Sequence, residues 1–268
     1  MQPIKFNSYD GTALSGLLDI QTGETAALLV HGITSEKTEG GFYTAIAEQL
    51  SAHGVTSLAI DLRSHGESEG EQVDFLMSGA INDICSGIEL LLSQGAKNII
   101  LVAASFSGGL SVRVAEKYPQ IISRLVLFNP RLDYTPWATD PQYWENGTYT
   151  DSAKKELHIK GFLTRNGFSL SRAMINELLA FDPSQGVTLL NKPILMVHGT
   201  KDTVVPIEGT KTCCRSMHNC TLIEVENAQH GFTDAVTDDI NSPESQAIRS
   251  RVVEQTIQWV LMHIPGKK

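Results

Sequence analysis

Short runs of apolar residues recur along the chain and alternate with segments in which apolar residues return every three or four positions. The runs are rich in valine, isoleucine, leucine and alanine, which is typical of strands that are covered on both faces. They predict strands at residues 26–30, 57–60, 99–102, 125–128, 194–197 and 221–225. The segments between them predict helices at residues 42–53, 79–92, 108–118 and 245–263. This alternation predicts the α/β fold class, with a mostly parallel twisted sheet flanked by helices.

One stretch, residues 131–190, departs from the alternation. It contains no convincing buried strand, although residues 171–181 predict a helix. It is also rich in aromatic residues, namely Tyr134, Trp137, Tyr143, Trp144, Tyr149, Phe162, Phe168 and Phe181. We therefore predict a small helical cap inserted between late strands, with residues 1–130 and 191–268 as the core. The cap aromatics either pack the insertion onto the core or line an apolar pocket over a site.

The run from Asn98 to Gly109 joins a predicted strand to a predicted helix through small residues. A serine at the tip of such a turn projects its hydroxyl away from the backbone, which is the geometry of the G-x-S-x-G nucleophile elbow. Here Ser105 takes the serine position, while Ala103 and Ser107 replace the two glycines. Both replacements are small, so the turn is sterically permitted and predicts Ser105 as a nucleophile. Ser107 remains an alternative, because it fits a Ser-x-Ser-x-Gly arrangement.

A serine hydroxyl becomes a good nucleophile only when a base takes its proton, and that base needs a partner to fix its tautomer. Asp202 follows the predicted strand 194–197, and His230 lies in a loop after the strand 221–225. Sites in open α/β sheets form at the carboxyl ends of the strands, where both residues are expected. We therefore predict His230 as the base and Asp202 as its partner. Asp133, which follows an earlier strand, is an alternative acid.

A tetrahedral acyl intermediate also needs hydrogen-bond donors for its oxyanion. The elbow supplies the backbone N–H of Phe106, and the loop after the first predicted strand supplies that of Ile33. Gly32 permits close backbone approach in this loop. His31, which opens it, is predicted to brace the loop through hydrogen bonds, with proton transfer as the alternative.

Five motifs occur in order along the chain: LLVHGITSEKTEGGF, DLRSHGESEG, ILVAASFSGG, HGTKDTVVP and AQHGF. Together they resemble the α/β-hydrolase superfamily, in which serine, acid and histidine follow in this order. The resemblance runs from about residue 5 to residue 264. It implies Ser105 as nucleophile, His230 as general base and then acid, and Asp202 as its orienting residue. It also implies an oxyanion hole formed by Ile33 and Phe106. The loop 61–68 is rich in serine, histidine and aspartate, but it resembles a loop of the family that is usually structural, which implies that Asp61 and Arg63 join neighbouring loops.

Two narrower resemblances concern the substrate. The compact cap and the run NGFSLSRAMINELLAFDP resemble the smaller intracellular esterases, including cinnamoyl and feruloyl esterases. The Ala-x-Ser-x-Ser elbow resembles that of the myristoyl-acyl-carrier-protein thioesterases of bacterial luminescence, whose substrates are long acyl chains. The first resemblance implies hydrolysis of small esters, and the second implies chemistry on thioesters.

The composition and charge of the chain argue against several other classes of protein. The chain has 268 residues and a formal net charge of −9 without a block of like charges, which argues against binding to nucleic acids or anionic membranes. The N-terminus lacks the apolar region of a signal peptide, and no apolar run approaches the ~18 residues of a membrane span. We therefore predict a cytoplasmic protein without a membrane span. The composition carries no signature of an oligomeric state.

Four cysteines in a chain of this size do not predict a disulfide framework. Cys213, Cys214, His218 and Cys220 are close in sequence, but they lack the paired C-x2-C spacing of zinc sites. We predict no metal. Because a serine triad needs no organic cofactor, we predict none of those either.

Taken together, these features predict a serine hydrolase that cleaves carboxylic esters of a moderately apolar acyl or aromatic acid through an acyl-Ser105 intermediate. Its partner is then a small-molecule ester or thioester. The alternative is an acyl-thioester hydrolase or acyltransferase for fatty acyl chains on an acyl carrier protein, which would dock on basic cap residues. These residues are Lys154, Lys155, Lys160, Arg165 and Arg172. A non-catalytic ligand receptor on this fold can retain the same triad and is the alternative from a different class.

Overall fold

The computed structural model describes residues 1–263, so positions 264–268 of the predicted core segment lie outside the described residues. The strands are β1 (Gln2–Asn7), β2 (Ala13–Asp19), β3 (Thr25–Val30), β4 (Thr56–Asp61), β5 (Asn98–Ala104), β6 (Ile122–Phe128), β7 (Trp144–Glu145), β8 (Thr148–Tyr149), β9 (Phe162–Arg165), β10 (Phe168–Ser171), β11 (Ile194–Gly199) and β12 (Cys220–Val225). The helices are α1 (Phe42–Ala52), α2 (Met77–Ser93), α3 (Ser107–Lys117), α4 (Thr135–Ala138), α5 (Asp151–Lys160), α6 (Arg172–Ala180), α7 (Ser184–Leu189), α8 (Ile207–Arg215) and α9 (Pro243–Met262), with 3₁₀ turns at Gln72–Asp74 and His230–Phe232. Within residues 1–263, no helix is both long and apolar enough to cross a membrane.

Eight strands form one sheet in the order β1-β2-β4-β3-β5-β6-β11-β12. The ladder from β4 through β12 is parallel, and only β1 and β2 pair antiparallel with their neighbours at one edge. The predicted α/β class with a mostly parallel sheet is confirmed. The apolar pattern does not reveal β1, because its residues alternate between exposed and partly buried positions and leave no continuous run.

The central strands send their side chains alternately to two helical layers. On one face, residues such as Leu28 and Leu101 join the core that α2 and α3 cover. On the other face, Leu29 and Val102 join the core that α1 and α9 cover. Because both faces are buried, these strands have no polar side, and this explains why uninterrupted apolar runs identify them.

Between β6 and β11 the chain forms α4 to α7 and two short hairpins, β7–β8 and β9–β10. The hairpins are a difference from the purely helical insertion that the sequence predicts. Each one turns through an asparagine–glycine pair in the left-handed region, Asn146-Gly147 with φ of 48° and 77° and Asn166-Gly167 with φ of 50° and 77°. Such pairs favour two-residue hairpin turns, a local signal that hydrophobic periodicity does not register.

Most of the aromatic side chains of this insertion pack against the core. Tyr134, Trp137 and Phe168 are almost completely buried. The rings of Tyr134 and Trp137 lie 5.0 and 5.5 Å from the ring of Phe106. A Cβ on Gly109 of α3 would lie 2.6 Å from the Tyr134 ring, so glycine at this position allows the insertion to close onto α3. Through these contacts with Phe106 and α3, the aromatic side chains hold residues 131–190 against the core.

Cys214, near the end of α8, and Cys220, at the start of β12, form a disulfide with Cα atoms 5.4 Å apart. The sequence does not predict this bond, which depends on how α8 packs beside β12. Two members of the cysteine–histidine cluster are thereby engaged with each other. Among residues 1–263, no group of three or more histidine, cysteine or acidic side chains is placed to hold a metal ion.

Candidate active site

Ser105 lies at the turn between β5 and α3, where the sheet ends. Its φ of 49° falls in the left-handed region, which a non-glycine residue keeps only when its surroundings hold it there. The Ser105 N–H donates to the Phe128 carbonyl over 2.8 Å. Its own carbonyl accepts hydrogen bonds from the N–H groups of Gly108 and Arg131 over 3.0 and 2.9 Å. The backbone of the elbow is thus tied to the next strand and to the chain beyond it.

Ser107, the alternative nucleophile, is fully buried. Its hydroxyl donates to the carbonyl oxygen of His31 over 2.5 Å. A hydroxyl that is buried and bonded to a carbonyl is poorly placed to attack a substrate, whereas Ser105 is partly exposed. The serine that replaces the second motif glycine instead connects the elbow to the loop that follows β3.

Three side chains from distant parts of the chain meet at the carboxyl end of the sheet. The Oγ of Ser105 lies 3.0 Å from Nε2 of His230, and Nδ1 of His230 lies 2.7 Å from Oδ2 of Asp202. Asp202 follows β11 and His230 follows β12, and these two strands are parallel neighbours. When Nδ1–H donates to the carboxylate, Nε2 is left as an acceptor for the Ser105 hydroxyl. The arrangement is therefore ready for proton transfer from Ser105 to His230.

The Asp202 carboxylate is held in its ionised form. Burial would raise its pKa, but hydrogen bonds from His198 and His230 and the charge of His230 hold that pKa well below its usual value. Its second oxygen, Oδ1, accepts from the N–H groups of Val204 and Val205, each over 2.8 Å. The carboxylate is consequently charged and fixed in direction at neutral pH, as an orienting partner for a histidine must be.

Residues 31–35, which we call the oxyanion loop, lie against Ser105. A Cβ placed on Gly32 would be 3.1 Å from the Ser105 Cβ, a tight contact that glycine avoids. The Gly32 N–H donates to Oε1 of Glu39, and the Thr34 N–H donates to Nε2 of His65 over 3.3 Å. The Ile33 N–H between them, like the Phe106 N–H of the elbow, has no acceptor among the described residues. The two N–H groups that are predicted as oxyanion donors are thus free of other hydrogen bonds among the described residues.

Two neutral histidines brace this loop. His31 donates from Nδ1 to the Gly32 carbonyl over 2.7 Å, and its Nε2 accepts from the Leu62 N–H over 3.0 Å. Burial, together with repulsion from His65 when that ring is protonated, lowers the pKa of His31 to about 3, and burial also lowers the pKa of His65. His31 has the bracing contacts that the sequence predicts. Each ring accepts a backbone N–H through Nε2, so protonation of either ring would break a bond of the loop.

Acidification is therefore expected to destabilise the protein. A histidine whose pKa is lowered in the folded state takes up a proton more readily when unfolded, so stability is lost as the pH falls below the unfolded value of about 6.5. For His31 alone, with a folded pKa of about 3, the free energy of unfolding should fall by about 2 kcal/mol between pH 7 and pH 5. Urea unfolding at both pH values measures this. Equal stability at the two values would contradict it.

The remaining candidates have structural contacts. Asp133, the alternative acid, is exposed, and its Oδ1 accepts the Thr135 N–H at the start of α4 over 2.9 Å. In the loop 61–68, the buried Asp61 accepts from both the backbone N–H and the Nζ of Lys37, each over 2.7 Å. Asp61 thus joins this loop to the segment after the oxyanion loop, as the sequence predicts.

A cavity of about 210 Å³ opens beside Ser105 and His230. Its apolar lining consists of Ile33, Phe42, Ala104, Phe128 and Phe232. None of its lining residues belongs to residues 131–190, so the cap aromatics do not form the wall of this cavity. Glu39 and Arg249 also line it and are absent from the predicted site. The sequence offers one signal for Glu39, its position inside the motif LLVHGITSEKTEGGF, and none for Arg249.

Two protein families and several individual proteins are similar to this chain. Residues 23–166, more than half of the chain, match the family described as serine aminopeptidase, S33, and residues 180–243 match the family described as TAP-like protein. Uncharacterized proteins of Mycobacterium tuberculosis and Mycobacterium bovis are 29% identical over 103 residues, which are 38% of this chain and 28% of theirs. The chain thus aligns with little more than a quarter of the length of these relatives.

Two further proteins match over more of the chain. A monoacylglycerol lipase of Mycolicibacterium smegmatis is 22% identical over 223 residues, 72% of this chain and 77% of the lipase. The structure of Est1E from Butyrivibrio proteoclasticus with bound ferulic acid superposes with a TM-score of 0.73 at 22% identity, over 94% of this chain and 99% of Est1E. The fold, the order of the motifs and the family match agree: this chain belongs to the serine aminopeptidase S33 family of the α/β-hydrolase superfamily.

Proposed function

We propose that this chain hydrolyses carboxylic esters, with Ser105 as nucleophile, His230 as general base and Asp202 as the residue that orients His230. The observation that carries the proposal is the unbroken pair of hydrogen bonds, 3.0 Å from Ser105 to His230 and 2.7 Å from His230 to Asp202. Nucleophile, base and orienting acid within hydrogen-bond reach are what acyl transfer to serine requires. The named activity of one relative, a monoacylglycerol lipase, agrees with it.

In the first half of the reaction, His230 Nε2 takes the proton of the Ser105 hydroxyl while Oγ bonds to the ester carbonyl carbon. The carbonyl oxygen becomes an oxyanion, which the N–H groups of Ile33 and Phe106 stabilise. As the intermediate collapses, the bond to the alkoxy oxygen breaks, and His230 gives that oxygen its proton. The alcohol leaves, and the acyl group remains on Ser105 as an ester.

In the second half, water replaces the alcohol. His230 takes a proton from the water as its oxygen attacks the acyl carbon, and the same two N–H groups stabilise the second oxyanion. The bond to Ser105 Oγ then breaks, and His230 returns the proton to the serine. The products are a carboxylic acid and the free enzyme.

The cavity beside Ser105 supports a small acyl group. Its volume of about 210 Å³ is below the range of about 300–1,000 Å³ that is typical of pockets for drug-sized ligands. Phe42, Phe128 and Phe232 supply an apolar lining. We therefore propose a short aliphatic or compact aromatic acid as the acyl part of the ester.

The alternative substrate, a thioester on an acyl carrier protein, has less support. Ser107, which makes the elbow resemble the luminescence thioesterases, is buried and bonded to the His31 carbonyl. Three of the five basic cap residues are paired with carboxylates on their own surface: Lys154 with Asp151, Lys160 with Glu156, and Arg165 with Asp140. Paired charges offer less attraction to an acidic carrier than free ones do.

Hydrolysis of p-nitrophenyl esters with two to sixteen acyl carbons tests the proposal. We expect the highest kcat/KM among the short chains, and covalent labelling of Ser105 by a fluorophosphonate probe. An aminoacyl p-nitroanilide belongs in the same series, because the matching family is described as an aminopeptidase. A maximum at long acyl chains would favour the thioester substrate. Saturable binding of an ester without turnover would favour a receptor and reject the proposal.

A further inference from the structure

Glu39 has no part in the mechanism above, yet its side chain lines the cavity that contains Ser105 and His230. Its carboxylate has two partners, both in the oxyanion loop. Oε1 accepts the Gly32 N–H, and Oε2 accepts the Ser35 hydroxyl over 2.8 Å. The carboxylate thus joins the two ends of the segment that carries the Ile33 N–H.

The Ile33 N–H can serve as an oxyanion donor only if the loop makes no use of it. In residues 32–34, the N–H groups on either side are engaged, that of Gly32 by Glu39 and that of Thr34 by His65. The middle one has no acceptor among the described residues. Preorganised donors stabilise an oxyanion because no reorganisation is needed when the charge develops. Glu39 is one of the two side chains that create this alternation.

The backbone of Glu39 is itself held firmly. Its φ of 48° lies in the left-handed region, which costs energy for a residue with a Cβ. Arg249 of α9 donates from Nη2 to the carbonyls of Glu39 and Gly40 over 2.8 and 2.9 Å. From Nη1 it donates to the Gly231 carbonyl over 3.0 Å, and its guanidinium lies 5.0 Å from the centre of the Phe42 ring. The arginine therefore fastens Glu39 to the residue that follows His230.

The surroundings of the Glu39 carboxylate disfavour its ionised form. Burial raises the pKa of Glu39. The bonds from Gly32 and Ser35 oppose that rise, as do the charges of His230 and Arg249. A partly buried carboxylate on a residue with a strained backbone, at the edge of a reactive site, is an arrangement that is associated with function.

We propose that Glu39 is a positioning residue that acts through the Gly32 N–H to hold the Ile33 donor ready for the oxyanion. This inference rests on the proposed ester hydrolysis. In this proposal, the effect of Glu39 on kcat requires a side chain that is long enough to accept the hydrogen bond of the Gly32 N–H. It does not require the negative charge of Glu39 near His230. Reach and charge can be separated by substitution.

Three variants of the full chain distinguish an effect of side-chain length from an effect of negative charge at position 39. Glu39→Gln keeps the reach and an acceptor oxygen but removes the charge, and the Ser35 hydroxyl can turn to accept from the new amide. Glu39→Asp keeps the charge but is one methylene too short to reach the Gly32 N–H in the same backbone. Glu39→Ala removes both. Glu36 is the matched control, since it lies in the same turn but its carboxylate accepts from the Thr38 N–H and hydroxyl.

We expect Glu39→Gln to keep kcat within about threefold, and Glu39→Asp and Glu39→Ala to lose at least about tenfold in kcat with KM within about threefold. Loss of one direct oxyanion donor costs about 10²–10³-fold, so an indirect effect should be smaller. Glu36→Asp and Glu36→Gln should match the wild type. A loss in Glu39→Gln with retention in Glu39→Asp would show a charge effect and overturn the proposal. So would a rise in KM alone, or no change in any variant.

Amide hydrogen exchange provides a measurement that does not depend on turnover. In Glu39→Asp, the Gly32 amide should exchange at least about tenfold faster than in the wild type, while the amides of β5 and β6 keep their wild-type protection. Unchanged protection of Gly32 would overturn the proposal even if the wild type hydrolyses esters. If the wild type shows no Ser105-dependent hydrolysis while Gly32 loses protection in Glu39→Asp, the proposed function fails and the contact of Glu39 with the loop stands.

Discussion

Replacing Ser105 with alanine is expected to lower kcat for a p-nitrophenyl ester by at least ~10³-fold, because the residue whose Oγ lies 3.0 Å from His230 supplies the attacking atom. Folding should be unaffected. The contacts that hold the elbow come from the Ser105 backbone, which donates to Phe128 and accepts from Gly108 and Arg131. Alanine keeps all of them. Steady-state kinetics together with thermal unfolding measures both expectations.

Ser107→Ala is the matched control, because it removes a hydroxyl two residues away in the same turn. Its Oγ is buried and donates to the His31 carbonyl, so the expected cost is in stability, about 1–3 kcal/mol for an acceptor that loses its partner. Its kcat should change by less than about tenfold. Near-normal turnover in Ser105→Ala, with a large loss in Ser107→Ala, would reverse the assignment of the nucleophile.

Asp202→Asn is expected to lower kcat by ~10⁴-fold, the scale found when a triad acid becomes an amide. Asparagine has the same shape, and its oxygen can still accept from the N–H groups of Val204 and Val205. Its amide would then face His230 Nδ1 as a donor, which drives the imidazole proton to Nε2. A protonated Nε2 has no lone pair for the Ser105 hydroxyl, so the base is lost while the packing remains.

Asp133→Asn controls for the loss of an aspartate elsewhere at the end of the sheet. The Asp133 side chain is exposed and caps α4 through Oδ1, a bond that asparagine preserves. We expect kcat within about twofold of the wild type. A loss below about tenfold in Asp202→Asn, with a large loss in Asp133→Asn, would identify Asp133 as the acid.

The ease of predicting each part of the fold follows from how that part is buried. Strands β3 to β6 and β11 have both faces covered, so they leave apolar runs that locate them within two or three residues. Strand β12 lies at the edge of the sheet with Thr221 and Glu224 exposed, and its bounds are located equally well. Strand β1 has exposed residues at alternate positions and leaves no such run. The strands of the two hairpins in the insertion are too short to show an alternating apolar pattern. The sequence indicates these hairpins only through the pairs Asn146-Gly147 and Asn166-Gly167 at their turns.

Local sequence patterns alone predict the α/β class, the turn that presents a serine, and an acid and a histidine on later loops in the order of a serine hydrolase. Each of these depends on residues that are neighbours in the chain. The burial of Ser107, the packing of most cap aromatics against the core, and the position of Glu39 beside Ser105 become visible only in the folded chain. The Ser107 bond to His31 joins residues 76 positions apart, and the Arg249 bond to Glu39 joins residues 210 positions apart. Contacts over such separations leave no local pattern, because they exist only once the sheet has brought its loops to one edge.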